Sequence, residues 1–193
     1  MRIQDIIKDS VHVKSKMLQD SELLLNIQLA AISCTKCFKT GNKVLLCGNG
    51  GSAADAQHIA AELSGRFYYD RQPLYAEALH VNTSYLTAVA NDYGFERVYS
   101  RLVRAMGRKN DVLIALSTSG NSQNVINAIS NARKLGMITI GLSGEDGGKM
   151  SEICEIMIKV PSRDTARIQE AHILIGHIIC EIIESELFPK NSE

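Results

Sequence analysis

Short apolar runs alternate with amphipathic stretches along most of this chain. The clearest runs are Val44–Cys47 and Val112–Leu116, which are too short for buried helices and too apolar for surface strands. Such runs are typical of inner strands in a parallel sheet. Further strands are predicted at 76–81, 137–142 and 154–160, and helices at 52–65, 83–90, 96–106, 124–134 and 164–187. This alternation predicts an α/β fold with a doubly wound, five-stranded parallel sheet.

Two amphipathic stretches precede the first strand. Residues 2–19 and 21–38 carry apolar side chains at near-helical spacing. Asp20 and Ser21 are suited to cap the second helix, and Thr40 with Gly41 is suited to end it. The sequence therefore predicts a helical extension over 1–41, followed by one sheet-forming domain over 42–193.

The length of one connection fixes the predicted strand order. The 68 residues between Val44 and Val112 contain another strand, so right-handed crossovers require the flavodoxin-like order 2-1-3-4-5. Strands 1 and 3 are then neighbours at the switch point of the sheet. Ligands of such folds bind there, at the carboxyl ends of the strands.

A polar loop follows each of those two strands. The first is Gly48-Asn49-Gly50-Gly51-Ser52, and the second is Ser117-Thr118-Ser119-Gly120-Asn121-Ser122. Glycines allow backbone N–H groups to converge, and a helix N-terminus adds unpaired N–H groups, so the pair of loops predicts a phosphate site. Neither loop is a dinucleotide fingerprint or a P-loop. The alternative is a pair of tight turns in which Ser52 and Asn121 or Ser122 only cap helices.

Candidate ionisable groups lie on two predicted helices. His58 and Glu62 are four residues apart and share a helix face, where they suit either zinc binding or proton transfer. From spacing alone, an exposed pair worth a few tenths of a kcal/mol is the better interpretation. The last helix is apolar almost all round over 173–183, which predicts burial, including burial against another subunit, yet it carries His177. A buried polar side chain needs a partner.

Composition narrows the function classes. Lys plus Arg and Asp plus Glu both total 21, and basic residues form no stripe with aromatic ones, so nucleic acid is not an expected partner. No apolar run is long enough to span a bilayer, and the first residues lack the apolar core of a signal peptide, so we expect a cytoplasmic protein. The five cysteines, including Cys34 and Cys37 in a C-x-x-C spacing, are interpreted as reduced core residues.

These motifs together resemble one family. The two loops, His58 with Glu62, Asn91-Asp92, and Arg167-Ile168-Gln169-Glu170 followed by His177 are similar to the bacterial phosphoheptose isomerases, also called sedoheptulose 7-phosphate isomerases, of the sugar-isomerase (SIS) superfamily. The resemblance covers residue 43 to the end. The loops alone indicate a phosphosugar-binding SIS domain, and the His58, Glu62, Gln169 and His177 set indicates this enzyme.

The resemblance implies roles for individual residues. It implies one Zn²⁺ per subunit, with His58, Glu62, Gln169 and His177 as ligands. It implies Glu62 as the base and His177 as the acid of an aldose-ketose isomerisation through an enediol. The implied substrate contacts are Asn49, Gly50, Gly51, Ser52, Glu62, Asn91, Asp92, Ser117, Thr118, Ser119, Ser122 and Gln169.

The resemblance also implies an assembly and leaves a rival function. Family members form homotetramers, which implies active sites at subunit interfaces. Gln169 and His177 are eight residues apart, about 12 Å along a straight helix, so either the helix begins after Gln169 or these groups serve sites shared between subunits. The rival function is a non-catalytic SIS tetramer that acts by protein contact, as in relatives that bind the replication initiator.

Overall fold

A computed structural model describes residues 2–189 of the chain. Its sheet has five parallel strands in the order β2-β1-β3-β4-β5, which confirms the predicted fold class and strand order. The strands are β1 (Val44–Cys47), β2 (Ala76–Ala78), β3 (Val112–Leu116), β4 (Ile138–Ser143) and β5 (Ile156–Lys159). The α-helices are α1 (Arg2–Gln19), α2 (Ser21–Lys39), α3 (Gly51–Ser64), α4 (Thr83–Tyr93), α5 (Val98–Met106), α6 (Gln123–Lys134) and α7 (Thr165–Leu187).

Helices cover both faces of the sheet, as the doubly wound prediction requires. One core packs α2, α3 and α7 against one face, and the other packs α4, α5 and α6 against the opposite face. Every residue of β1 and β3 is buried, because these strands lie inside the sheet and carry helices on both sides.

The N-terminal helices differ in how much of their surface they bury. Asp20 caps α2 by accepting a hydrogen bond from the backbone N–H of Leu23, as its position predicted. α2 packs into the sheet core, whereas several apolar side chains of α1 are exposed, among them Ile3 and Leu18 at 68% and 75%. The division into 1–41 and 42–193 stays a prediction.

Some predicted boundaries were wrong. The second strand is an edge strand of only Ala76–Ala78, since the chain turns at Leu79 and His80 to enter α4. α4 runs on through Asn91 and Asp92, which were predicted to lie in a loop, and Gly94 closes it by donating its N–H to the carbonyl of Ala90.

Candidate active site

The two polar loops lie side by side. β1 pairs in parallel with β3, so residues 48–52 and 117–122 leave the same edge of the sheet. The side chains of Asn49 in the first loop and Asn124 in the first turn of α6 exchange two hydrogen bonds of 2.8 and 2.9 Å. The Tyr99 hydroxyl donates to the carbonyl of Gly48 at 2.5 Å. Both polar ends of the Asn49 side chain are therefore occupied, and its backbone carbonyl accepts the N–H of Ser52.

The hydroxyl groups of the second loop form a small network. Oγ of Ser117 lies 2.9 Å from Oγ of Ser122 and 3.5 Å from that of Ser119. Ser119 is exposed and Thr118 is half-buried. Hydroxyl groups of this kind are hydrogen-bond donors that an anion bound at the loop would need.

Helix capping by side chains does not explain the serines. Gly50 is the N-cap of α3, and Ser52 lies within the helix, where it is 4% exposed. Ser122 is the N-cap of α6, but its side chain makes no capping hydrogen bond. A helix N-terminus leaves its first backbone N–H groups without helical partners, and those of Ser52 and Ala53 donate to the carbonyls of Asn49 and Gly50.

His58, Glu62 and His177 converge at the seam between α3 and α7. The Nε2 atoms of His58 and His177 lie 3.0 Å apart, and Oε1 of Glu62 lies 3.2 Å from Nε2 of His58. One ligand atom from each of the three lies within 4.8 Å of the others. Two imidazole nitrogens and a carboxylate oxygen form a donor set that suits a divalent metal ion and leaves a fourth position open.

A glycine permits this convergence. A Cβ on Gly176 would lie 2.4 Å from Cδ1 of Ile59, so α3 and α7 touch at this point. Ile59 and Gly176 are the chain neighbours of His58 and His177, so the closest contact of the helices lies beside the imidazoles. The Phe67 ring packs 5.7 Å from the His177 ring.

Gln169 lies near the first loop. A Cβ on Gly51 would lie 2.3 Å from Nε2 of Gln169, so the amide packs on the backbone of the loop. α7 begins at Thr165, so the suggestion that the helix starts after Gln169 was wrong. Gln169 is therefore about 12 Å before His177 along one continuous helix. Within one chain the Gln169 side chain therefore lies beside the first loop, whereas His177 lies beside His58 and Glu62.

Asn91 and Asp92 lie at the exposed end of α4. The Asn91 amide donates to Oδ1 of Asp92 at 2.9 Å. Both side chains are exposed, as is His58, whereas Glu62 and His177 are half-buried. Their role in substrate binding stays a prediction.

Three residues near the site were missed by the sequence reasoning. Tyr99 and Asn124, which brace the first loop, lie far from it in sequence and belong to no motif there. Asp55 lies one turn before His58 on α3, which is a spacing signal, and its Oδ2 is buried without a hydrogen-bond partner among the described residues. Burial raises the pKa of Asp55, and the charge of His58 acts in the opposite direction.

The cysteines are free thiols, as expected for reduced core residues. Cys34 and Cys37 are buried in α2, and burial chiefly raises the pKa of Cys37 to about 12. Such thiols are poor nucleophiles. Among residues 2–189, no helix combines the length and apolar character that crossing a membrane requires.

Known proteins share both this sequence and this fold. The SIS domain profile matches residues 10–144. Phosphoheptose isomerase 2 of Campylobacter jejuni is 55% identical over 94% of this chain and 90% of its own length. This chain belongs to the phosphoheptose isomerases of the SIS-domain family. The structure of the Neisseria gonorrhoeae phosphoheptose isomerase is 44% identical, with a TM-score of 0.90 over 95% of this chain and 97% of that one.

A second isomerase structure shows how far the fold persists as sequence changes. The Francisella tularensis phosphoheptose isomerase is 37% identical and has a TM-score of 0.91 over 95% of this chain and 97% of that chain. The fold of the family therefore extends over nearly all of this chain.

Proposed function

We propose that this phosphoheptose isomerase interconverts sedoheptulose 7-phosphate and D-glycero-D-manno-heptose 7-phosphate. The observation that carries the proposal is the convergence of His58, Glu62 and His177 in a chain that also places two hydroxyl-rich loops at its sheet edge. The product would begin the synthesis of heptoses for bacterial surface polysaccharides, in the cytoplasm.

Acid and base groups that face one another suit this reaction. Aldose-ketose isomerisation moves a proton between C1 and C2 through an enediol, so it needs a base at one carbon and an acid at the neighbouring oxygen. In our proposal Glu62 removes the proton and His177 protonates the oxygen. Glu62 and His177 both contact His58. The C1–C2 end of a sugar bound beside His58 would therefore meet both groups.

The phosphate of the sugar would bind at the loops. Ser119 and Thr118 offer hydroxyl donors, and the backbone N–H groups at the start of α3 and α6 offer more. Ser52, Gly50 and Gly51 line the first loop. Holding the phosphate converts binding energy into orientation of C1 and C2 at the acid and base.

The donor set fits zinc as the metal. His58, Glu62 and His177 would hold the ion, and Gln169 is the fourth ligand in our proposal. A bound zinc ion supplies Lewis acidity to the oxygens of the substrate. The Nε2 atoms of the two histidines, 3.0 Å apart, support this proposal because they are already neighbours.

A site shared between two subunits would explain how Gln169 reaches the metal ion despite its distance from His177. The amide lies about 12 Å along α7 from His177, so a Gln169 ligand to the same ion is best supplied by an adjacent chain. Exposed apolar side chains on α1 and α2 favour a closed homotetramer, and they include Ile7, Val11, Leu25 and Leu29.

A direct assay tests the proposed function. Purified protein incubated with sedoheptulose 7-phosphate should produce an aldose phosphate, followed by an enzyme coupled to the product or by NMR. Glu62→Gln, which keeps the size of the side chain but removes the base, should abolish turnover. A wild-type protein that binds the sugar and never converts it would instead favour the rival, a non-catalytic tetramer that acts by protein contact.

A further inference from the structure

The loop after α3 is fastened to that helix by one arginine. Arg71 donates from Nη2 to the carbonyl of Glu62 at 2.9 Å and from Nη1 to the carbonyl of Leu63 at 2.8 Å. Its side chain is 2% exposed. These carbonyls belong to the last turn of α3, where they lack helical partners and where the helix dipole is negative. Arg71 therefore holds the turn that carries Glu62.

The same arginine is held by a buried carboxylate on α7. Nε of Arg71 lies 3.0 Å from Oε1 of Glu184, whose side chain is 1% exposed. Glu184 also accepts the backbone N–H groups of Phe67 and Tyr68 at 3.0 and 2.8 Å. Burial raises the pKa of Glu184, but the N–H groups of Tyr68 and Phe67 and the charge of Arg71 outweigh burial and hold it below its ordinary value. The carboxylate is therefore charged at neutral pH.

These contacts join the two sides of the proposed acid-base pair. Glu184 follows His177 by seven residues, so both lie on one face of α7, about 10.5 Å apart along its axis. Phe67 touches both ends of this face, because its N–H binds Glu184 and its ring packs 5.7 Å from the ring of His177. Glu62 is thus tied through Arg71 and Glu184 to the helix that carries His177.

We propose that Arg71 and Glu184 act as a positioning clamp that sets the separation of Glu62 and His177 across the α3–α7 seam. The proposal rests on the proposed acid and base roles of those two residues. Stability alone does not require such a pair, because the cost of removing two charges from water offsets most of their attraction. The planar guanidinium instead supplies several donors in fixed directions, which lysine does not.

The test compares this pair with another buried ion pair. Arg71→Lys keeps the positive charge but removes the planar set of guanidinium donors. Glu184→Gln keeps the shape of the side chain but removes its negative charge. The control is Asp111→Asn, which breaks the pair of Lys43 and Asp111 (2.6 Å) at the amino ends of β1 and β3. Each variant is checked by circular dichroism and size-exclusion chromatography, and all are assayed well below their melting temperatures.

Two readouts distinguish positioning from general support. We expect kcat of both clamp variants to fall at least about tenfold, since a shift of 1 Å at a reacting group has effects of that order. KM should change less than kcat, because Arg71 and Glu184 hold the last turn of α3, whereas the phosphate loops lie at its first turn. Zinc affinity, measured by competition with a chelator, should fall about 10- to 100-fold. Asp111→Asn should lower the melting temperature and leave kcat and zinc affinity unchanged.

Other results would overturn the clamp. One such result is a lowered melting temperature in Arg71→Lys and Glu184→Gln, as in Asp111→Asn, with kcat and zinc affinity unchanged. It would show that Arg71 and Glu184 have a structural role only. If Arg71→Lys does not fold, Glu184→Gln decides alone by the same measures. A wild-type protein that binds zinc but does not isomerise the sugar would remove the proposed function, and the zinc affinities would still test the clamp.

Discussion

Gly176 of α7 lies so close to Ile59 of α3 that a methyl group on the glycine would stand 2.4 Å from Cδ1 of the isoleucine. Because His58 and His177 are their chain neighbours, the closest approach of the helices and the convergence of the imidazoles are one structural feature. A side chain at position 176 has to displace Ile59 or separate the helices.

We therefore expect Gly176→Ala to weaken both folding and zinc binding. Overpacking a dense core costs about 1–3 kcal/mol of unfolding free energy, and here the strain falls on the metal ligands. Denaturation in urea gives the first quantity and chelator competition the second. The double variant Ile59→Ala with Gly176→Ala should recover part of the zinc affinity, since it removes the clashing atoms. Wild-type affinity in the single variant would show that the seam adapts without moving the imidazoles.

Removal of the proposed ligands should remove the metal. We expect the wild type to purify with about one zinc per chain by elemental analysis, and the His58→Ala, Glu62→Gln and His177→Ala proteins with far less. His80→Ala is the matched control, because His80 is a half-buried histidine whose Nε2 lies 3.3 Å from Oε1 of Gln57, a residue outside this cluster. The sheet has its own core, so the metal-free variants should remain folded. Full zinc occupancy in all three variants would contradict the site.

Loss of one loop hydroxyl should weaken substrate binding more than folding. Ser119→Ala removes an exposed donor, and a hydrogen bond to a charged group is worth about 1.5–3 kcal/mol, so KM or Kd for the phosphosugar should rise about 10- to 150-fold. Ser52→Ala should act in the same direction with an added cost in stability, because Ser52 is buried. Ser185→Ala, on the far part of α7, is the control. Unchanged affinity for the phosphosugar in both loop variants would show that the phosphate binds elsewhere.

Subunit mixing distinguishes groups of one chain from groups of two. Glu62 and His177 meet within a single chain, so mixtures of inactive Glu62→Gln and His177→Ala protomers should stay inactive. Mixtures of Gln169→Ala and His177→Ala protomers should regain activity if Gln169 serves the adjacent site, because some sites then hold both wild-type groups. Exchange is followed with a tagged subunit. Recovery in the first mixture would show that Glu62 and His177 act in different chains.

His172 should make the protein less stable in mild acid. It is fully buried on α7, its Nε2 donates to the carbonyl of Ser143, and burial lowers its pKa from 6.5 to about 4. As pH falls below 6.5, His172 binds a proton in the unfolded chain but not in the folded chain. The free energy of unfolding should therefore drop by about 1.4 kcal/mol per pH unit until pH approaches 4.

Paired denaturation curves measure this contribution. The difference in unfolding free energy between wild type and His172→Gln should shrink as pH falls from 6.5 to 4, since only the wild type loses the stability. His12→Gln, which changes an exposed histidine on α1, is the control variant. A constant difference across this range would mean that His172 titrates alike in folded and unfolded chains.

The chain's sequence determined the sheet and the position of its binding edge. Runs such as Val44–Cys47 and Val112–Leu116 are so apolar that only inner strands accommodate them, and the long connection between them allows one right-handed order. That order places both polar loops at one edge before any contact is known. The helix pattern likewise put His58 and Glu62 on one face, because their spacing is local.

Contacts between distant segments were decided only by the tertiary structure. The 3.0 Å approach of His58 to His177 depends on Gly176 meeting Ile59, and no local pattern states which small residue will face which large one. The pairing of Arg71 with Glu184 could not be predicted from the sequence for the same reason, since 113 residues separate the two. Periodicity fixes which face of an element is apolar, but side-chain packing across elements selects the partners, and that selection requires all the segments to be in place.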